Sequence, residues 1–301
     1  MSHSFALSYI SPFRLDYTVW VLRRRAKNHI DNWNGTHYLR AFVLEDQLIT
    51  VAIEQDHDRN ELIVTYDKTL SEHAKKALAE LITKTFGLNI DLSPFYKMAK
   101  KDKHLNPLVQ RCLGMKPTTY PSIFEALTNA VACQQISLDV GIELLNRLSL
   151  HFGQKVKHGD QLFYTFPSPK RIKKCTIIDL KSIGFSAKKA EYLINIASQY
   201  DQDESAFTSL SDQDNNEAIK FLCSLKGIGR WSAEYALLRS LGRIDIFPGD
   251  DVGAQNRLRQ FLHLDDKLDY AQIADITKKW HPYAGLIYFH LLLNGLTEPR
   301  A

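Results

Sequence analysis

Strand-type alternation stops about a third of the way along this chain, and that break constrains the fold more than any other feature. "HYLRAFVLEDQLITVAIEQD" and "ELIVTYD" are rich in Val, Ile, Leu, Thr and Tyr, with the polar turn "QDHDRNE" between them. Period-two alternation broken by turn residues predicts antiparallel strands. "TLSEHAKKALAELITKTFGL" then takes helical spacing, with Ser71 as N-cap and Gly87 as the stop. Strands followed by a helix predict an α+β unit over residues 1–112. A basic bridge, Tyr96–Pro117, follows, and strand signals nearly vanish. "SIFEALTNAVACQQISLDVGIELLNRLSLHFG" reads as two helices, and "SAKKAEYLINIASQY" as one capped by Ser186. Residues 113–301 are therefore expected to be all-α, with no repeat long enough for a solenoid.

The totals exclude several classes. At 301 residues the chain can bury a sizeable core, and 45% hydrophobic with 24% charged residues is an ordinary globular balance. Its net charge of +4 is compatible with a polyanionic partner without requiring one. The most apolar run, "AGLIYFHLLLNGL", is too short to span a bilayer, so no membrane partner is expected. The N-terminus has no basic segment followed by a long apolar one, so no signal peptide is expected and the cytoplasm is the expected compartment. Cys112, Cys133, Cys175 and Cys223 are scattered, with no CxxC pair, so neither a zinc site nor an iron–sulfur cluster is expected.

"LKGIGRWSAEYALL", Leu225 to Leu238, holds the densest chemistry. Gly227 and Gly229 permit unusual backbone angles and leave amides uncovered. A helix opening near Arg230 aims its free N–H groups and positive dipole end the same way. Such a turn suits one phosphate, with Arg230 adding a charged contact. The same pattern also serves as a plain helix-to-helix turn with glycines for packing. "GRIDIFPGDDVGAQNRL" follows, in which Pro248 and Gly249 break the chain and Asp250 and Asp251 open a helix. Acids at a helix start are usually caps. Two adjacent acids let one cap while the other faces a cleft.

These pieces together resemble the helix–hairpin–helix superfamily of DNA base-excision glycosylases, nearest to its bacterial 3-methyladenine DNA glycosylase II (AlkA-type) branch. The carrying motifs are "LKGIGRWSAEYAL" and "DIFPGDDVGAQ", supported in order by "AVACQQIS", "FPSPKRI", "LKSIGFSAKKAEYL" and "WHPYAGLIYFHLLL". The resemblance covers about residues 113–295. It implies two helical subdomains with the active-site cleft between them, and a first domain like one repeat of TATA-binding protein. The implied activity is excision of alkylated purines flipped out of double-stranded DNA, by a monomer, cytoplasmic or nucleoid-associated if bacterial. Readings left open are an 8-oxoguanine-type glycosylase and a noncatalytic DNA-binding protein.

The resemblance also assigns roles. Asp251 takes the catalytic position and Asp250 the cap, with the reverse assignment open. Trp231 and Tyr235 line the base pocket, where aromatic faces suit electron-poor cationic purines; core packing is the competing reading. Bifunctional members carry a lysine where Trp231 stands, which implies hydrolysis without β-lyase activity; Lys226 lies on the other side of the hairpin. Gly227, Gly229, Arg230 and Ser232 would meet DNA. Gln134 or Gln135 would fill the gap left by the flipped base, a departure from the apolar wedge usual in this branch. Lys170, Arg171, Lys173, Lys174, Lys181, Lys188 and Lys189 form a basic belt. Tyr283, Tyr288 and His290 compete as the C-terminal pocket residue. No cofactor is required; a structural Na+ or K+ would sit on the main-chain carbonyls of Cys223, Leu225 and Ile228.

Overall fold

A computed structural model of the chain describes residues 2–294. Its first unit is a five-stranded antiparallel sheet of β1 (His3–Ser8), β2 (Asn32–Trp33), β3 (Tyr38–Leu44), β4 (Gln47–Asp56) and β5 (Glu61–Tyr66), in the order β1-β5-β4-β3-β2. Helix α1 (Leu15–Arg23) interrupts it after β1, and α2 (Glu72–Phe86) follows β5. The alternation works as expected: Ile49, Val51 and Ile53 of β4 are buried in one core with Leu78, Ile82 and Phe86 of α2. Ser71 Oγ accepts from the Ala74 amide at 3.0 Å, and Gly87 ends α2 at φ 61°. Both helix signals read from the sequence are present.

The basic bridge forms α3 (Ser93–Ala99) and α4 (Leu105–Arg111), and α5 (Ile123–Cys133) and α6 (Leu138–Phe152) follow. Next comes an element that the sequence pattern does not predict. Residues 155–164 form the antiparallel hairpin β6 (Lys155–His158) and β7 (Gln161–Tyr164), so the second region is mostly helical rather than all-α. Its alternation, "KVKHGDQLFY", is mostly polar, and Phe163 is its only deeply buried apolar residue. The hairpin finds its stability against the first sheet, where Thr50 Oγ1 and His158 Nδ1 are 2.8 Å apart.

The remaining helices are α7 (Pro169–Ile172), α8 (Ile177–Ser182), α9 (Ala187–Gln202), α10 (Glu204–Thr208), α11 (Asn215–Ser224), α12 (Arg230–Ala236), α13 (Val252–Phe261), α14 (Tyr270–Lys278) and α15 (Ala284–Asn294). Ser186 caps α9 as its sequence position predicts. Two cores hold the described residues together. One joins the sheet and α2 to α5, α6, α9, α11 and α12. The other packs Val21 and residues of α3 and α4 against α13, α14 and α15. A buried ion cluster also crosses the halves: Arg40 of β3 bonds Asp31 at 2.7 Å and Glu125 of α5 at 2.6 Å.

Candidate functional site

The α11–α12 hairpin is built around two glycines that do different things. Gly227 sits at φ 86°, and a Cβ there would lie 2.2 Å from the Tyr192 ring of α9, so both conformation and space require glycine. Gly229 is different. Its φ of −98° is open to any residue, so the backbone freedom that both glycines permit is used at Gly227 and not at Gly229. A Cβ at Gly229 would meet nothing within 4 Å. What glycine provides at 229 is therefore open approach to the first turn of α12, which no side chain caps. The turn closes through the Ile228 amide to the Leu225 carbonyl at 3.1 Å.

Pro248–Asp251 brings the acids to the same place, with their roles exchanged in part. Asp251, not Asp250, is the N-cap of α13: its Oδ1 accepts from the Ala254 amide at 2.8 Å. The assignment of the cap to Asp250 is thus overturned, because Asp250 sits one residue too early to reach that amide and is exposed. The other oxygen, Asp251 Oδ2, accepts from Trp231 Nε1 at 3.2 Å and from the Tyr288 hydroxyl at 3.0 Å. Three donors from three helices therefore fix one half-buried carboxylate at the wall of a cleft.

That cleft has a volume of about 1190 Å³ and is lined by α1, the α5–α6 turn, α9, α12, α13 and α15. Trp231 and Tyr235 form its floor, with ring centroids 5.6 Å apart at 32°. Tyr235 is buried and its hydroxyl meets that of Tyr120 at 3.1 Å, while Trp231 is only half-buried. The basic residues lining the cleft are Arg24, Arg25, Lys188, Lys189, Arg230, Arg239 and Arg257, against the acids Asp250 and Asp251. The wall thus carries a clear excess of positive charge.

The other expected residues divide. Gln134 bonds the Gly227 carbonyl at 2.9 Å and Ser232 Oγ at 3.0 Å, so Gln134 and Ser232 brace the hairpin from inside. Gln135 is exposed, in left-handed conformation at φ 54°, on the lip of the cleft. Arg230 packs over the Tyr270 ring at 4.6 Å. The belt splits: Lys188 and Lys189 line the cleft and the others do not, Lys173 pairing with Asp201 instead. Lys226 pairs with Glu191 outside the cleft. Of the three C-terminal candidates, Tyr288 reaches the site, whereas His290 is buried with burial pushing its pKa down to about 4, and Tyr283 packs on Phe95.

Sequence reasoning missed Arg24 and Arg239, which line the cleft, and Tyr120, whose ring packs against both. Arg239 Nη2 holds the Val21 and Leu22 carbonyls at 3.1 Å and its guanidinium stacks 4.6 Å from the Tyr120 ring. It lies in a π-helical turn, Leu237–Leu241, of the kind that often marks functional sites. The only signal for Arg24 was the run "RRR" at the end of α1, which by itself reads as a solvated helix end.

The chain is similar to known proteins in sequence and in fold. Residues 128–282 match the family model described as HhH-GPD superfamily base excision DNA repair protein, and residues 4–120 match the AlkA N-terminal domain. A DNA-3-methyladenine glycosylase of Bacillus subtilis (strain 168) is 30% identical over 224 residues, covering 74% of each chain. DNA-3-methyladenine glycosylase 2 of Escherichia coli (strain K12) is 23% identical over 304 residues, covering 98% of this chain and 99% of its own. A solved 3-methyladenine DNA glycosylase from Archaeoglobus fulgidus has the same fold, with a TM-score of 0.84 at 24% identity over 96% of this chain and 97% of that one.

Proposed function

The chain belongs to the HhH-GPD superfamily of base excision DNA repair proteins, and we propose that it is a monofunctional DNA N-glycosylase that excises alkylated purines of the 3-methyladenine type. The observation that carries this reading is Asp251, a carboxylate clamped by the Ala254 amide, Trp231 and Tyr288 at the edge of an aromatic-floored basic cleft. A binding module needs no acid there.

The damaged base leaves the duplex and enters the cleft. Gly229 and the bared start of α12 take one phosphate, and Arg230, Lys188 and Lys189 add attraction along the backbone. Gln135 fills the vacated space, since Gln134 is committed to the hairpin. Trp231 and Tyr235 stack on the base. As the C1′–N bond breaks, the sugar gains cationic character, and the fixed Asp251 carboxylate stabilises it. A water then adds to C1′ and gives up its proton, with Asp251 orienting it. No lysine stands in the cleft position where Trp231 lies, and Lys226 is held away by Glu191, so hydrolysis without strand cleavage is the expected outcome. The carbonyls of Cys223, Leu225 and Ile228, oxygen donors at a helix end, would hold a monovalent cation that stiffens the hairpin. The active unit is a monomer on double-stranded DNA.

Asp251→Asn tests the reading. Asparagine keeps an oxygen for the Ala254 amide and removes the charge. Base release from alkylated DNA should be abolished while DNA binding persists; normal release would overturn the assignment. An abasic product nicked without heat or alkali would overturn the monofunctional part.

A further inference from the structure

Arg230 and Asp251 line the cleft, yet both are supported from outside it. The support lies at a second cavity of about 320 Å³, lined among others by Glu234, Gly249 and Tyr270, which shares no residue with the cleft. None of these three residues touches the space a flipped base would fill.

Tyr270 is the common contact. It is the first residue of α14, whose start is fixed by a capping box between Asp269 and Gln272. The Arg230 guanidinium carbon lies 4.6 Å from the centroid of its ring. A guanidinium stacked on a ring keeps its N–H edge free for an anion. Gly249 rests on the same ring. A Cβ there would fall 2.8 Å from Tyr270 Cδ2 and 2.9 Å from Cε2, so only bare backbone fits. That backbone belongs to the turn that delivers Asp251: the Gly249 carbonyl accepts from Gln255 Nε2 at 2.8 Å, and the Asp251 amide donates to the Pro248 carbonyl at 3.0 Å.

The ring is itself held. The Tyr270 hydroxyl donates to Glu234 Oε1 at 2.6 Å. Glu234 follows Arg230 by one turn of α12, so the contacts close a loop from Arg230 through Tyr270 and Glu234 back to the same helix. Glu234 is 2% exposed and its Oε2 has no partner. Burying that oxygen is costly, and what the carboxyl provides in return is the fixed orientation of one phenol.

We propose that Tyr270, oriented by Glu234, is a positioning residue for base excision: its ring sets the spacing between Arg230, which meets the DNA backbone, and the turn that carries Asp251. The proposal rests on the glycosylase reading above. Backbone phosphates and the C1′ under attack are covalently joined, so an anchor on one and a carboxylate against the other must stand at matching distance. Small misplacements of reacting groups are expensive in rate. A shared backstop keeps the two contacts in register although they come from different helices.

The test compares wild type, Tyr270→Phe, Tyr270→Leu, Arg230→Gln and the double variant Arg230→Gln/Tyr270→Leu. Two quantities are read: single-turnover release of 7-methylguanine at saturating enzyme, and the salt dependence of affinity for a duplex carrying a stable abasic-site analogue. Tyr270→Leu should slow release by about tenfold or more. It should also lower the salt slope by about one, as Arg230→Gln does. The double variant should show the slope of Arg230→Gln alone. Tyr270→Phe keeps the ring and should recover most of both losses. A folded Tyr270→Leu protein with wild-type release or a wild-type slope would overturn the inference. So would slope losses that add in the double variant, or a phenylalanine as defective as leucine. If Tyr270→Leu fails to fold by its circular dichroism melt, Gly249→Ala decides. Its methyl drives the ring from its seat, so release and salt slope should both fall, and either one kept at its wild-type value overturns the inference. Each of these failures leaves the glycosylase reading standing. Wild type releasing no base overturns both.

Discussion

Replacing Glu234 by glutamine should make the protein more stable above neutral pH and leave it nearly unchanged in acid. Glu234 lies on the face of α12 away from the cleft floor and is 2% exposed. Burial pushes its carboxyl up to about 7; the Tyr270 hydroxyl at 2.6 Å and Arg230 oppose the rise, and Asp250 adds to it. Its Oε2 is buried without a partner. A carboxyl raised in the folded state holds its proton there after the unfolded chain has released its own. Stability is therefore full below the unfolded value of 4.5 and is lost as pH climbs through about 7. Raising a pKa by one costs about 1.4 kcal/mol once the group ionises, so the rise at Glu234 corresponds to about 3 kcal/mol at alkaline pH. Glutamine keeps an oxygen for Tyr270 and never ionises. Urea unfolding of both proteins should show the advantage of Glu234→Gln widening by about 2 to 3 kcal/mol between pH 5 and pH 8. The difference between the two proteins cancels every other titrating group. An advantage that is flat or narrows across that range would refute a proton held on Glu234.

Other perturbations separate the roles of neighbouring residues. Gly227→Ala should lower stability by about 2 kcal/mol or more in chemical unfolding, from strain at positive φ and collision with Tyr192. Gly229→Ala meets no neighbour, so its melting point should stay within a degree or two of wild type, at about 0.5 kcal/mol or less. DNA affinity should nevertheless fall, and unchanged binding would remove the phosphate from that turn. Tyr288→Phe deletes one of three donors to Asp251 and should slow single-turnover base release about tenfold, the worth of a hydrogen bond to a charged group. Glu125→Ala leaves Arg40 facing Asp31 alone in the interior and should destabilise by about 3 kcal/mol in urea unfolding; a loss under about 1 kcal/mol would show water reaching the cluster.

The sequence carried most of the fold where a pattern had one physical cause. Ile49, Val51 and Ile53 alternate because one sheet face is buried, and Ser71 and Gly87 stand at helix ends because backbone groups there need partners. The β6–β7 hairpin escaped because it is held by the first sheet rather than by its own apolar face. At the site, Asp251, Trp231 and Tyr235 were legible because they lie on short motifs of fixed spacing, whose local turns bring them together. Arg24 and Arg239 were not. They reach the cleft through packing between segments more than ninety residues apart in the chain, and Arg24 looks on paper like any charged helix end. The division of labour between Gln134 and Gln135 was also invisible, since it depends on one residue turning left-handed.

Asp251 both begins a helix and faces the cleft, and that double duty shapes what can replace it. Selection for folding alone would keep a capping side chain at this position, and selection for chemistry would demand a charged one. The two pressures part at asparagine, which caps as well as aspartate but carries no charge. A descendant that abandoned catalysis while keeping its grip on DNA would therefore drift first to Asn at position 251. Drift to an apolar residue would signal that the helix had found another anchor. The identity of this single residue would thus report a lineage's history more directly than overall similarity does.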